Sequence, residues 1–219
     1  MRLHQFAYSP FAAKVRKCLE LKGLAFEVVE VPYLDRRELV ALSGGIHVPV
    51  LEDGGRVVAD SQRITAYLDQ AYRPSLREEP LAEVLEGWAE GPLEDVAFRI
   101  AAPWLEARFA ELQGGRDDAR ALFRVIKERR YGPGCLEQWR AGEPALIAQL
   151  ASLLRPVGAA LATRPFVLGQ AATLADAAIR GQLHMIEFVR PGLVEDRLPA
   201  LQDWYERLAD LRGRAGARG

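Results

Sequence analysis

The stretch from Ala7 to Lys22 most constrains the fold, because it converts a strand into a helix within a few residues. The residues before it, RLHQFAY, are short and partly alternating, as in a β-strand. From Phe11 onward the apolar residues recur at steps of four and three, which predicts a helix. Ser9 is then the predicted N-cap, and Pro10 the first helical residue, where its missing N–H costs nothing.

A strand that runs directly into a capped helix has a chemical consequence. It leaves unpaired backbone amides and the positive end of a helix dipole at the strand's exit. Such a corner can hold an anion. A thiol placed beside it favours its thiolate form, by about 1.4 kcal/mol for each unit that its pKa falls.

The chain divides into two regions with different periodicities. In residues 1–75 the apolar pattern predicts a strand, a helix and a second strand. A short helix, a hairpin centred on Gly54 and Gly55, and a helix that begins at Asp60 are predicted to follow. Because strand, helix, strand makes a parallel βαβ unit, this region is predicted to be a βαβ, ββα domain that closes at about Ser75.

Residues 76–219 contain no β-rich run, and every periodic segment in them is helical. The predicted elements are a long helix interrupted at Gly91 and Pro92 and bent at Pro103, a helix from Asp117 that breaks at 131–134, a helix from Glu143 to Ala162, a helix capped by Thr173 with Asp176, and a last helix from Leu198 to Leu211. The tail GRAGARG at 213–219 is expected to be disordered. The fold class is therefore an α/β domain followed by an all-α domain.

Composition excludes several classes of partner. With 29 basic and 30 acidic residues and a net charge of −1, the chain has no electrostatic footprint for nucleic acid. Its two cysteines, Cys18 and Cys135, are far apart and in no CxxC pair, so they indicate neither a disulfide framework nor a zinc site. No apolar run is identified as long enough to span a bilayer, and the first residues are typical of a strand rather than a signal peptide. We therefore expect a cytoplasmic protein with no membrane partner.

Five features of the sequence are informative together: the segment SPFAAKVRKCLELKG, the tripeptide Val48-Pro49-Val50, Asp60 followed by Ser61, the capping box in GQAATLADAA, and the order and lengths of the two domains. Together they resemble the glutathione S-transferase family. The first four are similar to that family's first active-site turn and helix, its valine–proline pair, its acidic–serine pair and the capping box of its second domain. The resemblance covers essentially the whole chain, and its serine turn resembles bacterial members. It implies a thioredoxin-like domain at 1–75, an all-helical domain at 76–219 with the electrophile site and dimer contacts, and a homodimer.

The resemblance also implies which residues form the site. Ser9 would stabilise the thiolate of glutathione, the co-substrate, and Tyr8 is the runner-up for that role. The implied glutathione-binding residues are Ser9, Phe11, His47, Val48, Pro49, Asp60 and Ser61, with a cis Val48–Pro49 bond. The implied electrophile-site residues are Ala97, Phe98, Ala101 and Trp104, and no metal is implied.

The expected reaction is conjugation of glutathione to a hydrophobic electrophile, in detoxification. The CxxC position of thioredoxin-like proteins reads Ser9-Pro10-Phe11-Ala12, so redox cycling through two thiols is excluded. The sequence departs from the family pattern at two places. It has no arginine next to Ala12, a residue that would strengthen thiol activation, and the helix break at 131–135 matches no well-known class.

The alternatives are a non-catalytic binding module of the same fold and a glutathione-dependent isomerase or dehalogenase. Ser9 could then serve only as a helix cap.

Overall fold

The computed structural model of the protein describes residues 1–211, so the predicted disordered tail at 213–219 lies outside the described residues. The strands are β1 (Arg2–Gln5), β2 (Glu27–Glu30), β3 (Val50–Asp53) and β4 (Arg56–Ala59). The helices are α1 (Pro10–Leu21), α2 (Arg37–Ser43), α3 (Ser61–Ala71), α4 (Leu81–Trp88), α5 (Glu94–Leu112), α6 (Asp117–Tyr131), α7 (Cys135–Ala141), α8 (Glu143–Leu161), α9 (Leu174–Val189), α10 (Leu193–Arg197) and α11 (Gln202–Asp210). The predicted fold class is confirmed.

The four strands form one sheet in the order β2-β1-β3-β4. β1 pairs with β2 in parallel, as the βαβ prediction requires, and β3 pairs antiparallel with both β1 and β4. Gly54 and Gly55 turn the β3–β4 hairpin with φ of 55° and 88°, a region that favours glycine. The C-terminal end of β1 therefore lies beside the start of β3, which directly follows the Val48–Pro49 pair.

One face of the sheet packs against α1 and α3. The fully buried side chains there come from the strands and from the two helices: Leu3, Val15, Leu19, Leu51, Ile64 and Leu68. Burying a leucine or isoleucine side chain contributes about 1.5–3 kcal/mol. This core fixes the N-termini of α1 and α3 relative to the sheet.

The second region is helical, but the long helix predicted from Leu81 is not continuous. A π-helical turn, Ala89–Leu93, separates α4 from α5 and contains Pro92. Proline has no N–H to donate to the preceding turn, so a wider turn accommodates it. Pro103 lies inside α5 without ending it. The sequence did not predict the short helices α7 and α10.

Helix α9 joins the two regions. Its residues Leu174 and Ala177 belong to the hydrophobic core of the sheet and α1, although the predicted boundary at residue 75 assigns them to the second domain. At Gly181 the helices are so close that a Cβ would lie 2.6 Å from the carbonyl oxygen of Pro10. The first turn of α1 therefore rests on a helix of the second domain.

Helix α8 corrects one expectation from the sequence. By length and composition it could cross a membrane, with a mean hydropathy of 1.4. In the structure α8 packs against α5 and α7, with Leu150 and Leu154 buried. Only 17% of its most apolar 18-residue window is buried, and length and composition alone do not show a membrane span, so the absence of a membrane partner stays a prediction.

Candidate active site

Ser9 caps α1 as predicted. Its φ of −70° and ψ of 123° are extended, and its Oγ accepts a hydrogen bond from the amide of Ala12 at 3.3 Å. Pro10 follows as the first helical residue. The cap uses a lone pair of the hydroxyl oxygen, which leaves the O–H of Ser9 able to donate to a ligand. Only 7% of Ser9 is exposed, so such a ligand must approach closely.

One cavity of about 530 Å³ gathers the other predicted glutathione-binding residues. It lies where β3 begins and α3 starts. Six of the residues that the resemblance implies line it: Phe11, His47, Val48, Pro49, Asp60 and Ser61. The Val48–Pro49 peptide bond is cis, as the resemblance implies. The Ser9 turn adjoins this cavity through Phe11, although Ser9 itself does not line it.

Asp60 has an unusual backbone at the wall of this cavity. Its φ of 81° makes it the one non-glycine residue with positive φ in the described part of the chain. Such a conformation costs about 1–3 kcal/mol and persists where the surroundings enforce it. The Asp60 carboxylate accepts from the amides of Gln62 and Arg63 at 3.0 and 3.1 Å, and so caps α3. The strained cap turns Ser61 towards the second domain.

Glu90 is a cavity residue that sequence reasoning missed. It comes from the π-helical turn of the second domain and lines the same cavity as Asp60 and Ser61. Its Oε1 accepts from Ser61 Oγ at 3.3 Å and from Lys14 Nζ, and its Oε2 accepts from Gln62 Nε2 at 2.8 Å. The interruption at Gly91 and Pro92 was the available signal, since π-helical turns are frequent at functional sites.

A second cavity, of about 470 Å³, lies on the other side of the Ser9 turn, between the domains. Its walls include four aromatic side chains, with Leu112 from the end of α5 and three charged residues: Phe6, Tyr8, Tyr33, Phe188, Glu30, Asp35 and Arg116. Phe6 and Tyr8 stack at 5.4 Å between ring centroids. An apolar, planar compound fits such walls, because aromatic rings stack with offset or edge-on geometry.

Tyr8 lines this aromatic cavity and packs edge-on against Phe109 at 5.8 Å. Burial raises the pKa of Tyr8 above its usual value, with Tyr33 adding to the effect. The phenol therefore stays protonated at neutral pH. It can donate a hydrogen bond, but it cannot serve as a base.

The structure does not bring the four predicted electrophile-site residues to the Ser9 turn. Ala97 and Ala101 are completely buried, because the helical period of α5 turns them into the core. Phe98 packs against Tyr131 at 5.8 Å. Trp104 lies against the guanidinium groups of Arg140 and Arg190 and donates to Glu143 at 3.2 Å. None of the four lines either cavity.

Two half-buried basic residues, Arg16 and His184, contact the segment before Ser9. His184 of α9 lies with Nε2 2.9 Å from the carbonyl oxygen of Ala7, which can only accept, so the Nε2–H tautomer donates there. Arg16 donates to Gln5 Oε1 at 2.5 Å and lies 3.0 Å from the same His184 nitrogen. Arg16 thus lies behind the turn, about one helical turn beyond the position where the sequence lacks an arginine.

Comparison with known proteins gives consistent relatives for both regions. The family description "Glutathione S-transferase, N-terminal domain" matches residues 3–77, and "Glutathione S-transferase, C-terminal domain" matches residues 102–207. A probable glutathione S-transferase of Oryza sativa is 28% identical over 212 residues, which covers 91% of this chain and 80% of the rice protein.

Solved structures show the same fold. A glutathione S-transferase of Ceriporiopsis subvermispora in complex with glutathione has a TM-score of 0.72 at 20% identity, covering 95% of this chain and 96% of the fungal chain. A glutathione S-transferase from Rhodospirillum rubrum has a TM-score of 0.66 at 22% identity, covering 97% and 96%.

Proposed function

We propose that this chain, which belongs to the glutathione S-transferase family, joins the thiolate of glutathione to a hydrophobic electrophile. The observation that carries the proposal is the cavity beside the Ser9 turn, since six predicted glutathione-binding residues line it together. An isolated helix cap would not require a peptide-sized cavity beside it.

The proposed pose follows from the chemistry of the cavity walls. The γ-glutamyl end lies at Asp60 and Ser61, where the positive end of the α3 dipole attracts its carboxylate and the Asp60 carboxylate, which caps the amides of Gln62 and Arg63, attracts its ammonium. The cysteinyl residue pairs with the backbone of Val48 as an added strand. His47 faces the glycyl carboxylate. The thiol then lies at the Ser9 turn.

Ser9 acts by stabilisation, not by nucleophilic attack. Its O–H donates to the glutathione sulfur, which lowers the thiol pKa as the proton leaves to water. The sulfur lone pair forms a bond to the electrophilic carbon, and the leaving group departs with the electron pair of the broken bond. We place the electrophile in the aromatic cavity lined by Tyr8, Tyr33 and Phe188, rather than at the four α5 residues that the sequence indicated.

Steady-state kinetics of Ser9→Ala test the proposal. We expect the conjugation rate to fall about 100-fold, the usual cost of losing one preorganised donor, with glutathione affinity little changed. Ser9→Gly separates the two roles of Ser9, because glycine is nearly as good an N-cap but lacks the hydroxyl. It should be as slow as Ser9→Ala and more stable. Tyr8→Phe should stay close to wild type.

Three outcomes would count against this assignment. Equal rates for Ser9→Ala and wild type would show that Ser9 only caps its helix. A large loss in Tyr8→Phe alone would transfer the role to Tyr8. Calorimetric titration without heat at millimolar glutathione would favour the non-catalytic module, and products without a glutathione adduct would favour an isomerase or dehalogenase.

We also propose that the protein works as a cytoplasmic homodimer in detoxification. The support is a pair of complementary surfaces. Helix α4 exposes Leu81 and Val84 beside acidic Glu83. A groove of about 650 Å³ along β4 and α3 carries Arg56 and Arg63. In a two-fold pair, the acidic apolar helix of one copy can lie in the basic groove of the other. The bacterial origin stays a prediction, since the relative from rice is a plant protein.

A further inference from the structure

Ala7 lies in the turn that leads to Ser9, and side chains hold it from two directions. A backbone hydrogen bond from the amide of Ser9 to the carbonyl oxygen of Phe6, at 2.9 Å, closes this turn. The amide of Ala7 donates to Oε2 of Glu30 at 3.0 Å. Its carbonyl oxygen accepts from Nε2 of His184 at 2.9 Å. Both backbone polar groups of Ala7 are therefore bound, two residues before Ser9.

The two side chains that hold Ala7 come from different domains. Glu30 is the last residue of β2, which pairs in parallel with β1. His184 belongs to α9, the helix of the second domain that packs on α1. The position of the turn is thus set jointly by the sheet and by the helical domain.

Two further side chains connect Glu30 to His184. Gln5 Nε2 donates to Glu30 Oε1 at 2.5 Å, and Gln5 Oε1 accepts from Arg16 Nη1 at 2.5 Å. Arg16 Nη2 in turn lies 3.0 Å from Nε2 of His184. Gln5 is only 2% exposed, so this part of the network is shielded from water. Together with Ala7, the four side chains form a closed ring of contacts, and such networks make their members rigid.

These contacts supply something that the helix cap does not. The hydrogen bond from the amide of Ala12 fixes Ser9 relative to α1. The contacts at Ala7 fix the same turn relative to β2 and α9. A donor that stabilises a thiolate must lie about 3 Å from the place where the charge forms, and a misplacement of about 1 Å can lower a rate about 100-fold.

We propose that Glu30 and His184 are positioning residues for the Ser9 hydroxyl, an inference that rests on the proposed function. Each binds one backbone polar group of Ala7, and together they set where the hydroxyl meets the glutathione sulfur. They act on the reaction through Ser9. Because His184 belongs to the second domain, the helical region takes part in activating a thiol that is bound by the first.

The main competing explanation is that Glu30 acts only through its charge. Glu30 is exposed and lines the aromatic cavity, as do Asp35 and Arg116. A negative charge near a thiol disfavours the thiolate, so by charge alone Glu30→Gln would lower the thiol pKa and speed conjugation. Loss of positioning predicts the opposite sign, because an amide has one acceptor oxygen for the two donors from Ala7 and Gln5. Glu30→Asp keeps the charge but is too short for both contacts, so positioning predicts that it behaves like Glu30→Gln.

The test is a double-mutant cycle on the full chain, followed by steady-state conjugation. We expect Glu30→Gln and His184→Phe each to lower kcat about tenfold, while the affinity for glutathione in calorimetry changes less than about twofold. In a Ser9→Ala background the same two changes should lower kcat less than about twofold, because the hydroxyl that they position is gone. The pH profile of kcat should place the pKa of the bound thiol about one unit higher in Glu30→Gln, which corresponds to tenfold less thiolate at lower pH.

Glu52→Gln is the matched control. Glu52 is a carboxylate on β3 of the same sheet and also binds two donors, Arg2 at 3.1 Å and His4 at 2.6 Å, but it lines neither cavity. Its replacement should leave kcat and the thiol pKa unchanged. A fall equal to that of Glu30→Gln would show a general effect of weakening the sheet and would overturn the inference.

The remaining outcomes separate the inference from the function on which it rests. Losses that persist in full in the Ser9→Ala background overturn the inference, since the residues would then not act through the hydroxyl. A faster Glu30→Gln, or variants with lower stability but a wild-type kcat, also overturn it. If the Glu30 variants and His184→Phe all fail to fold, the contacts serve folding and not positioning. A wild type that forms no glutathione adduct contradicts the proposed function, and the inference fails with it.

Discussion

His184 is the residue whose environment makes the clearest prediction about pH. Burial lowers the pKa of His184 to about 4, from an ordinary value of about 6.5. Arg16, 3.0 Å from its Nε2, also disfavours a positive charge there. The histidine is therefore neutral in the folded protein at any pH above about 4.

The free energy of unfolding should follow from this difference in proton binding. Above about pH 6.5 the imidazole is neutral in both states, and stability is not affected. As the pH falls from 6.5 to 4, the unfolded chain takes up a proton that the folded protein does not, so stability falls by up to about 3 kcal/mol. Below pH 4 this loss levels off.

Urea unfolding of wild type and His184→Gln between pH 4 and 8 measures this contribution. The variant lacks the titrating group, so its curve should be flatter over that range, whatever its stability at pH 8. Identical pH dependences for the two proteins would show that His184 titrates normally.

At the residue scale, local sequence signals found part of the candidate site and missed the rest. The helix starts at Ser9 and at Asp60–Ser61 were predictable, because the signal for a helix cap lies in residues that are adjacent in the sequence. The positions of Glu90 and His184 were not predictable. Each contacts the site from a segment that is distant in the sequence, and hydrophobic periodicity gives no information about such long-range contacts. Ala97 and Ala101 were misplaced because helical spacing gives a face, but not what that face packs against.

At the element scale, the contact between α9 and α1 sets the position of the Ser9 turn. Gly181 allows the approach, because a Cβ there would lie 2.6 Å from Pro10 O and 3.2 Å from Lys14 N. Real Cβ atoms do not come so close to backbone, so Gly181→Ala must move the first turn of α1. We expect a loss of about 1–3 kcal/mol in stability and a lower conjugation rate.

Gly87→Ala is the matched control, because Gly87 is also helical and nothing lies within 4 Å of the position that a Cβ would take there. That change should stabilise the protein by about 0.5–1 kcal/mol through helix propensity and leave the rate unchanged. Denaturant unfolding and steady-state rates measure both effects. A Gly181→Ala protein as stable and active as wild type would show that the two helices can separate without consequence.

The elements were predictable where they are long and periodic, and where turn chemistry is local. The βαβ, ββα order, the hairpin at Gly54 and the cap at Thr173 all came from such signals. The short helices α7 and α10 were missed because seven and five residues carry too little periodicity. The π-helical turn was predicted only as a kink, since sequence shows the proline but not how the chain accommodates it.

At the scale of the whole molecule, exposed apolar side chains bear on the proposed homodimer. Val84 on α4 and Val125 on α6 are exposed by 63% and 58%, and Leu81 by 57%. Isolated exposed apolar residues are normal, but Leu81 and Val84 lie about one helical turn apart on α4 and form the patch that we assign to the dimer contact. The groove with Arg56 and Arg63 offers the complementary charge.

Val84→Arg should therefore dissociate the proposed homodimer. An arginine there must lose its hydration on association and would face the like charges of Arg56 and Arg63 in the groove, which costs several kcal/mol. Val28→Arg is the control, because Val28 is 41% exposed on β2, at the opposite edge of the sheet from β4. Sedimentation velocity at micromolar concentration should give a dimer for wild type and Val28→Arg, and a monomer for Val84→Arg. A monomeric wild type would contradict the homodimer itself, whereas a dimeric Val84→Arg would place its interface on another surface.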